Sequence, residues 1–564
     1  FLYVAGPGAK QDRLGVVNVF HAGDFLTYEC RVPGDGLYDL WVLYSGNNQA
    51  FGIADMAGRT SLHADGGPAQ PLVPLPASGA LRWSRCARLA LRRGRHTLTW
   101  RNDRGGMINL KTFALCADPR WAPEGKQRQP PRGARPVFIR AVDFRTSNSK
   151  ELLIQPLGGA SYGKQSFPFR AGDVKASWAK EPNAEVHVYP SAGCASYYLE
   201  IARLEGVDAA ARRVRLGGPG CVGTLAEGNR YFVENILEEL DSPGEWYLDR
   251  RKGMLYHWPR GNRRRVVIAP VLGRLLQLDA VMNVALSGLT FQETDHSPDD
   301  GCLGTASGRN GTLHLRHAAD CRIVNCRFRN IGPYAICLDE SRQVALEGND
   351  VAGGAEGGIL LVNSAGNRVA DNHIHNCGRV YKHVGGIVLE GPASGGNAVV
   401  HNAIHDMPRY GISLKYAGVR NRIEYNEVFN ANLETYDSGG IEVTQHDRAL
   451  NSRSTIRFNR IHDTIGYSSD AGLPLFGSWA IYLDSFAGGY TVSHNLAYRN
   501  TWGGVLIQGG RQNRVFNNIL IGGYTPGSIL NFADNSRRLR FERNLVGLDG
   551  PGDLFYLGAV SRRI

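Results

Sequence analysis

The stretch GGIVLE (385–390), followed by YGISLK (410–415), GGIEVT (439–444) and WAIYLD (479–484), decides the fold. Each hexamer carries Ile, Val or Leu at its third and fifth positions, and this period of two is typical of a short strand. A solvent-facing helix would instead repeat its apolar residues every three to four positions. Related hexamers are GTLHLR (311–316), YAICLD (334–339), GGILLV (357–362), GGVLIQ (503–508) and GSILNF (527–532).

The hexamers recur at the spacing of one coil of a solenoid. Their third positions lie 23 to 29 residues apart, except for a step of 40 between residues 441 and 481. An Asn-x-apolar element lies between hexamers, and stacked side-chain amides suit a strand spacing of about 4.8 Å. We therefore predict an all-β chain with a right-handed parallel β-helix over residues 286–564. The predicted ladder is Asn325, Asn349, Asn372, Asn402, Asn426, Asn459, Asn495, Asn517 and Asn544.

Composition limits the class of protein. The 564 residues are 43% hydrophobic and 21% charged, which is typical of a globular chain. No apolar run reaches the roughly 18 residues of a membrane span, so we expect no membrane partner. The net charge of +12 favours an acidic partner only weakly, and we expect no nucleic acid. A removed secretion signal would account for the start at Phe1, so a secreted or periplasmic bacterial protein is expected, with its oligomeric state open.

The rest of the chain reads as two further β-rich regions. Residues 1–118 contain alternating runs such as HTLTWRND (96–103), which predict a β-sandwich that resembles carbohydrate-binding modules. Trp100, Asn102 and Asp103 are candidates for a sugar site there, and a module that only caps its neighbour is the alternative. Pro, Arg and Gly predict a linker at 119–136. Residues 137–285 are expected to lead into the β-helix and brace it.

The outward positions of the hexamers carry the candidate chemistry. If positions three and five point inward, positions four and six point out of the same sheet. Glu442 and Asp484 then lie on adjacent coils, with Cα atoms roughly 8 Å apart from the strand spacing and rise. Glycoside hydrolysis requires a protonated carboxyl group and an ionised carboxylate about 5–9.5 Å apart. We predict Glu442 and Asp484 as the catalytic pair, with Asp437 as an alternative partner.

Long insertions are expected beside the same face. RVYKHVG (379–385), NLETYDSG (432–439) and DTIGYSSDAGLPLFGSW (463–479) lengthen three coils with Tyr, His, Asp and Trp. Loops on a rigid scaffold collect binding groups, and aromatic rings pack on the apolar faces of sugars. The predicted substrate-binding residues are Glu390, Lys415, His383, His446, Tyr467, Trp479, Tyr482 and Gln508.

Lys415 has three alternative roles. It could hold an ionised carboxylate by charge pairing, or form a surface ion pair with Glu390. As a third role, it could remove the proton α to a uronate carboxyl group in a lyase. No cofactor and no metal are expected, with calcium near Asp463 or Asp470 left open.

Four segments carry a family resemblance. They resemble bacterial parallel β-helix carbohydrate-active enzymes, and are most similar to glycoside hydrolase family 141, over roughly residues 200–545. The resemblance implies glycosidase chemistry on plant cell-wall polymers, since that family includes α-L-fucosidase and xylanase activities. It also places the family's acidic pair on Glu442 and Asp484. The segments are GNRYFVENILEELDSPGEWYLDRRKGMLYHWP (228–259), ETYDSGGIEVTQHD (434–447), STIRFNRIHDTIGYSSD (454–470) and SWAIYLDSFAGGYTVSHNLAYRNTWGGVLIQGG (478–510).

Three functional hypotheses follow from the sequence. The first is a glycoside hydrolase that cuts a polysaccharide or oligosaccharide of the plant cell-wall type in a groove on the β-helix. The second is a lyase or epimerase on a uronate polymer, with Lys415 or a histidine as base. The third, from another class, is a solenoid that binds glycans without turnover. Unsaturated products would distinguish a lyase from a glycoside hydrolase. Binding of a glycan without any product would identify the glycan-binding solenoid.

Overall fold

The computed structural model consists of strands and short 3₁₀ helices arranged in two compact units. One unit is Phe1–Gly159 with Gln445–Leu450, and the other is Ala160–Thr444 with Asn451–Ile564. Within the described residues, none of the helices is long and apolar enough to cross a membrane. The 3₁₀ helices are Ala141–Asp143, Ala176–Lys180 and Leu237–Glu239. The structure describes residues 14–17, 23–46, 59–72, 75, 78–103, 108–123, 130–131, 133–149, 152–156, 166–189, 199–217, 229–261, 266–295, 310–445, 447, 449–467, 477–523, 530–533, 536–548 and 554–557.

The first unit, here called the N-terminal unit, is built from antiparallel strands. Apolar residues alternate with polar ones along most of them, which lets one face of each strand pack inward. Its described strands are β1 (Leu14–Val17), β2 (Phe25–Val32), β3 (Gly36–Gly46), β4 (Thr60–Ala64), β5 (Gln70–Pro71), β6 (Ser78–Leu91), β7 (Gly94–Asn102), β8 (Asn109–Cys116), β9 (Val137–Arg140), β10 (Thr146–Ser147) and β11 (Leu153–Pro156).

These strands form two sheets that face each other, as predicted for a sandwich. One sheet has the order β11-β1-β8-β3-β6, with β9 also paired to β8, and the other has the order β10-β2-β7-β4-β5. Tyr28 and Trp100 of the second sheet pack against Phe113 of the first, with ring centroids 5.1 and 5.6 Å apart. The core of this unit therefore lies between the sheets.

The N-terminal unit differs from the predicted division of the chain. Strands β9, β10 and β11 follow residue 118, yet they pair with β8, β2 and β1 of this unit. Trp121 lies in the predicted linker, but it is buried and its ring centroid is 6.5 Å from that of Trp83. Trp100 and Asn102 are fully buried, so they line the core and not a sugar-binding surface.

The second unit begins with a small antiparallel sheet and a hairpin. The sheet has the order β12-β15-β14-β13-β16, and the hairpin joins β17 to β18. Tyr189, Leu199 and Ile201 from this region are buried against outward-facing residues of the β-helix, among them Cys337 and Leu360. The strands are β12 (Ser166–Pro168), β13 (Glu185–Val188), β14 (Glu200–Asp208), β15 (Arg213–Gly217), β16 (Tyr231–Glu234), β17 (Trp246–Asp249) and β18 (Met254–His257).

The remainder of the second unit is a parallel β-helix of three sheets, as predicted. Each sheet pairs one strand of a coil with the equivalent strand of the next coil. Sheet 1 contains Leu276–Asp279, Gly311–Arg316, Tyr334–Asp339, Ile359–Val362, Gly385–Glu390, Tyr410–Lys415, Ser438–Thr444, Ser478–Asp484, Gly503–Gln508, Leu530–Ala533 and Phe555–Leu557. Sheet 2 contains Ala285–Ser287, Arg322–Val324, Ala345–Glu347, Arg368–Ala370, Ala398–Val400, Arg422–Glu424, Thr455–Arg457, Thr491–Ser493, Arg514–Phe516 and Arg540–Glu542. Sheet 3 contains Thr290–Gln292, Arg327–Arg329, Asp350–Ala352, His373–His375, Ala403–His405, Glu427–Ala431, Arg460–Thr464, Leu496–Tyr498, Ile519–Ile521 and Leu545–Gly547.

The core of the β-helix consists of the third and fifth residues of the hexamers, together with one apolar residue from each strand of sheets 2 and 3. Ile412 and Leu414 of one coil and Ile441 and Val443 of the next are fully or almost fully buried in this single cluster. Positions four and six therefore point away from the core, which confirms the register on which the site prediction depends.

The predicted Asn ladder is confirmed at seven of its nine positions and is off by one residue at the other two. Along the ladder, the backbone N–H of each residue donates to the Oδ1 atom of the Asn in the next coil, as in Asn402 to Asn426 at 3.0 Å. The residue in the eighth coil is Asn518, and Cys326 occupies the first position. Asn325 and Asn517 directly precede these positions with φ angles of 52° and 55°, a conformation that Asn tolerates better than most residues.

Candidate active site

Lateral pairing in sheet 1 brings the predicted site residues onto neighbouring coils. Glu442 is paired with Tyr482, and Thr444 is paired with Asp484. On the preceding coil, Lys415 is paired with Thr444. Glu442 and Asp484 are thus offset by one coil and two residues, as predicted.

Lys415 is the centre of a buried hydrogen-bond network. Its Nζ atom donates to Glu442 Oε1 at 2.7 Å, to Thr444 Oγ1 at 2.8 Å and to the Tyr410 hydroxyl at 2.9 Å. The Lys415 and Glu442 side chains are only 8% and 3% exposed. An ammonium group has three protons, and here each of them has an acceptor. Lys415 therefore holds Glu442 as an ionised carboxylate, which is the first of its three predicted roles.

Tyr410 links this network to His383. The Tyr410 hydroxyl accepts from Lys415, so its own proton is available for the His383 Nε2 atom at 2.9 Å. Burial raises the pKa of Tyr410 well above its ordinary value. Burial, together with the positive charges of Arg409 and Lys415, lowers the pKa of His383 well below its ordinary value. The pair is therefore neutral, and His383 acts as an acceptor.

Arg409 and Tyr482 fix the position of Asp437. The Arg409 guanidinium donates to the backbone carbonyl oxygens of Tyr436 and Asp437 at 2.9 and 3.0 Å. Asp437 has a φ angle of 53°, a left-handed conformation that Asp adopts more readily than most residues. The Tyr482 hydroxyl lies 3.2 Å from Asp437 Oδ1 and 2.9 Å from Gln508 Oε1, and it can donate to one of them at a time.

Asp484 is an acid with an altered pKa. Its pKa is raised from 3.8 to about 7, first by burial and then by the negative charges of Asp437 and Glu442. Lys415 and a hydrogen bond from Ser485 offset part of this rise. Asp484 is nevertheless partly exposed. The raised pKa favours the protonated form of the Asp484 carboxyl group at a pH where an ordinary aspartate is ionised.

Glu442 departs from the sequence prediction in its accessibility. Its side chain points out of sheet 1, but the residue is only 2% exposed. The Oε2 atom has no hydrogen-bond partner among the described residues. Asp437 and Asp484 keep some exposure to solvent, whereas Glu442 does not line an open groove.

The predicted aromatic platforms are also less accessible than expected. Trp479 and Tyr482 are both 4% exposed and pack with Leu506 and the partly buried Trp502. The ring centroids of Trp479 and Trp502 are 5.2 Å apart with the planes nearly perpendicular. Sugar stacking on Trp479, one of two predicted platforms with Tyr467, is therefore wrong as a prediction, because the ring of Trp479 is already covered by apolar neighbours.

The other predicted binding residues lie in different surroundings. The Arg230 guanidinium lies over the ring of Tyr467 at 4.2 Å, so one face of that ring is covered. Glu390 is partly exposed and is paired laterally with Lys415, while Gln508 is exposed. His446 lies outside the described residues.

The alternative calcium site is not supported where it can be examined. Asp463 accepts from Arg499 at both carboxylate oxygens, and its Oδ2 atom is 2.6 Å from His462 Nδ1. A carboxylate that already has these partners is a poor cation ligand. Asp470 lies outside the described residues.

Tyr410, Thr444 and Arg409 take part in the site but were not predicted from the sequence. Tyr410 occupies the first position of its hexamer, where Gly is the most frequent residue. That exception is the signal that could have identified it. Arg409 directly precedes Tyr410, and its guanidinium lies 4.5 Å from the centroid of the Tyr410 ring. Its contacts depend on the loop that carries Asp437, which the sequence does not specify.

Comparison with known proteins supports the fold. A family model described as the right handed beta helix region matches residues 311–473. Together with the three parallel sheets, this match identifies a right-handed parallel β-helix. No curated protein matches the chain.

Several solved structures are similar to this chain at low identity. The catalytic domain of a GH87 alpha-1,3-glucanase in complex with nigerose is 11% identical, with 97% of this chain and 92% of that chain covered and a TM-score of 0.31. The catalytic unit of a GH87 alpha-1,3-glucanase from Streptomyces thermodiastaticus strain HF3-3 is 10% identical, with coverages of 99% and 94% and a TM-score of 0.26. An alginate lyase from Paenibacillus sp. str. FPU-7 is 13% identical, with coverages of 45% and 76% and a TM-score of 0.25. Similarities of this size assign neither an activity nor site residues to the chain.

Proposed function

We propose that this protein is a glycoside hydrolase acting on a polysaccharide or oligosaccharide outside the cytoplasm, with Asp484 as the general acid. The observation that supports this most directly is the raised pKa of Asp484, about 7, next to two further carboxyl groups. A carboxyl group that keeps its proton near neutral pH can protonate the leaving oxygen of a glycosidic bond. The neighbouring carboxylates supply the ionised partner that this reaction requires.

Asp437 is the better candidate for the ionised partner. It is partly exposed, and the Tyr482 hydroxyl lies 3.2 Å from its Oδ1 atom. Glu442, the predicted partner, is buried and bound by Lys415 and Thr444. Glu442 is therefore proposed as a positioning residue whose fixed negative charge keeps the proton on Asp484.

The contacts of Lys415 disfavour the lyase hypothesis. A lysine that removes a proton from a uronate needs a free lone pair on Nζ and access to the substrate. Lys415 is buried, and its three donors are used by Tyr410, Glu442 and Thr444. The family 141 resemblance and its plant cell-wall substrates remain predictions, and they guide the choice of substrates.

The test is a panel of glycans that includes xylans, fucosylated oligosaccharides, glucans and uronate polymers. Products are measured as reducing ends and by absorbance near 235 nm, where unsaturated uronates absorb. Asp484→Asn and Asp437→Asn are each expected to reduce kcat by roughly 10²–10⁴-fold, as for loss of a catalytic acid or base. Asp371→Asn is the matched control, because Asp371 is an exposed acid of the β-helix with a φ angle of 57° that Asn tolerates.

Reducing ends without the 235 nm signal, lost in both site variants and kept in the control, support the proposal. Absorbance at 235 nm would instead identify a lyase. Binding to a glycan without any product would identify a glycan-binding solenoid. Full activity in Asp484→Asn would remove Asp484 as the acid.

A further inference from the structure

A cluster of histidines lies on the outer face of sheet 3, on coils that precede the one carrying Asp484. His373 and His375 flank Ile374 on one strand, and Ile374 is fully buried in the core. Both histidines therefore point outward. Asp350 is paired with His373 on the preceding coil, and His405 is paired with His375 on the following coil.

Three atoms of this cluster that could act as metal ligands lie close together. Asp350 Oδ1 lies 3.7 Å from His373 Nδ1 and 3.7 Å from His375 Nε2. All three atoms lie within 4.8 Å of one another. Asp350 Oδ1 is buried and has no hydrogen-bond partner among the described residues. The other carboxylate oxygen of Asp350 is bound by Arg329, which fixes the direction of Oδ1.

The hydrogen bonds that the imidazole nitrogens make away from Asp350 indicate which tautomer each neutral histidine adopts. His405 Nδ1 lies 2.8 Å from the Asp406 carboxylate, which accepts only, so this nitrogen carries the proton and His405 Nε2 is an acceptor. His373 Nε2 lies 2.9 Å from that acceptor and must donate to it. The lone pair of His373 is then on Nδ1, facing Asp350.

The same argument applies to His375. Its Nδ1 atom lies 2.8 Å from Asn376 Oδ1 and donates to it, which leaves the lone pair on Nε2. With these tautomers, the ring nitrogens that face Asp350 Oδ1 are the ones whose lone pairs are free to bind a metal ion.

We propose that Asp350 Oδ1, His373 Nδ1 and His375 Nε2 bind a divalent transition-metal ion of the zinc type, with water as the fourth ligand. Two imidazole nitrogens and one carboxylate are a donor set that suits Zn²⁺ and not Ca²⁺ or Mg²⁺. In a tetrahedral zinc site with bonds of about 2.0–2.1 Å the ligand atoms lie about 3.4 Å apart. The two 3.7 Å separations from Asp350 need to close slightly, and the two histidine nitrogens, which lie within 4.8 Å of each other, must also reach that separation.

The neighbouring groups match the usual support of such a site. The Asp406–His405–His373 chain is a carboxylate–imidazole relay that orients a ligating ring and raises its basicity. The site departs from the expectation of a metal-free chain. A metal ion bound there would cross-link the adjacent coils that carry Asp350 and His373. The proposed site does not include the acids proposed for catalysis.

The test is a titration of the full-length, chelator-stripped protein with Zn²⁺ against a chromogenic zinc chelator, together with the visible spectrum after Co²⁺ substitution. The wild type is expected to bind one Zn²⁺ saturably at this cluster and to give a low-symmetry Co²⁺ spectrum. His375→Ala and Asp350→Asn are each expected to weaken that binding by at least about 100-fold, because each removes a ligand. Circular dichroism of both variants verifies that they are folded.

His187→Ala is the control. Among the described residues, a second group of side chains that could hold a metal ion consists of Glu185, His187 and Glu234. His187→Ala removes the histidine of that group and leaves the proposed site unchanged. Unchanged cluster binding in His187→Ala supports the proposal. It is overturned if the wild type shows no saturable binding, if His375→Ala and Asp350→Asn bind as the wild type does, or if His187→Ala abolishes the binding.

Discussion

At the scale of single residues, the acidity of Asp484 depends on charges supplied by its neighbours. Asp437 and Glu442 raise its pKa and Lys415 lowers it. Glu442 is the most fixed of these, because Lys415 and Thr444 both bind its Oε1 atom. The proposed chemistry therefore depends on a buried ion pair that is not expected to touch the substrate.

This dependence gives a prediction for the pH profile. An acid with a pKa of about 7 must be protonated to act, so kcat/KM is expected to fall as pH rises through about 7. Glu442→Gln removes a negative charge and leaves Lys415 unneutralised, and both changes lower the pKa of Asp484. The alkaline limb should move to lower pH by roughly one unit. Asp371→Asn, which changes an exposed acid of the β-helix outside sheet 1, is the control, and an unmoved alkaline limb in Glu442→Gln would contradict the assignment.

A second prediction concerns the stability of the Lys415–Glu442 pair. Lys415→Met leaves Glu442 buried without its counter-charge, which is expected to lower the free energy of unfolding by about 3–5 kcal/mol. Adding Glu442→Gln should recover part of that loss, because the unpaired charge is removed. Urea denaturation measures both effects. Lys175→Met is the control, since the side chains of Lys175 and its partner Glu239 are 54% and 34% exposed, and loss of this surface pair should cost about 1 kcal/mol or less.

At the scale of the strand and turn, the Asn ladder gives each coil a fixed position relative to the next. Asn518 accepts from the backbone N–H and the side chain of Asn495, and its own Nδ2 atom donates to Val492 and Asn544. Because the amide is buried, its removal leaves several backbone groups without partners.

The ladder therefore distinguishes two adjacent asparagines. Asn518→Ala is expected to lower the free energy of unfolding by about 2–4 kcal/mol, through the loss of several buried hydrogen bonds. Asn517→Gly should cost about 1 kcal/mol or less, because Gly accepts the positive φ angle and Asn517 is partly exposed. Thermal or chemical denaturation of the two variants makes the comparison. Equal losses would contradict the assignment of Asn518 to the ladder.

The two ladder positions that were predicted one residue too early, 325 and 517, show what the sequence can and cannot specify about strands and turns. The alternation in YGISLK (410–415) and WAIYLD (479–484) was enough to predict strand register and the diagonal placement of Glu442 and Asp484. The Asn-Asn pair at 517–518 gives two equivalent choices, and only backbone φ angles decide between them. The burial of Glu442 and Trp479 could not be predicted either, because it depends on packing by residues distant in sequence.

At the scale of the whole molecule, the β-helix is a stack in which each inner coil has two neighbours. Among the residues that the structure describes, the first and last strands of sheet 1, Leu276–Asp279 and Phe555–Leu557, are each paired on one side. Leu276 and Leu278 of the first coil are only partly buried, whereas Ile387 and Leu389 of an inner coil are fully buried. Stability in such a stack is a sum of coil and neighbour terms.

Hydrogen exchange is therefore expected to be graded along the stack. Backbone amides in Gly385–Glu390, Tyr410–Lys415 and Ser438–Thr444 should exchange most slowly, and those in Leu276–Asp279 and Phe555–Leu557 at least about tenfold faster, because end coils open more easily. Mass spectrometry of peptides from a native-state exchange series measures this. Uniform protection from the first coil to the last would show that the stack opens only as a whole.

The ladder also bears on how such a molecule changes over evolutionary time. From Asn349 to Asn495, each ladder side chain donates from its Nδ2 atom to the Asn of the next coil and accepts at its Oδ1 atom from the preceding coil. A coil gained or lost by gene duplication or deletion would meet the same partners on its new neighbours. Length can thus be adjusted in whole coils while the two that carry Glu442 and Asp484 stay intact, so that a lineage could lengthen or shorten the proposed glycan-binding surface without changing the proposed catalytic residues.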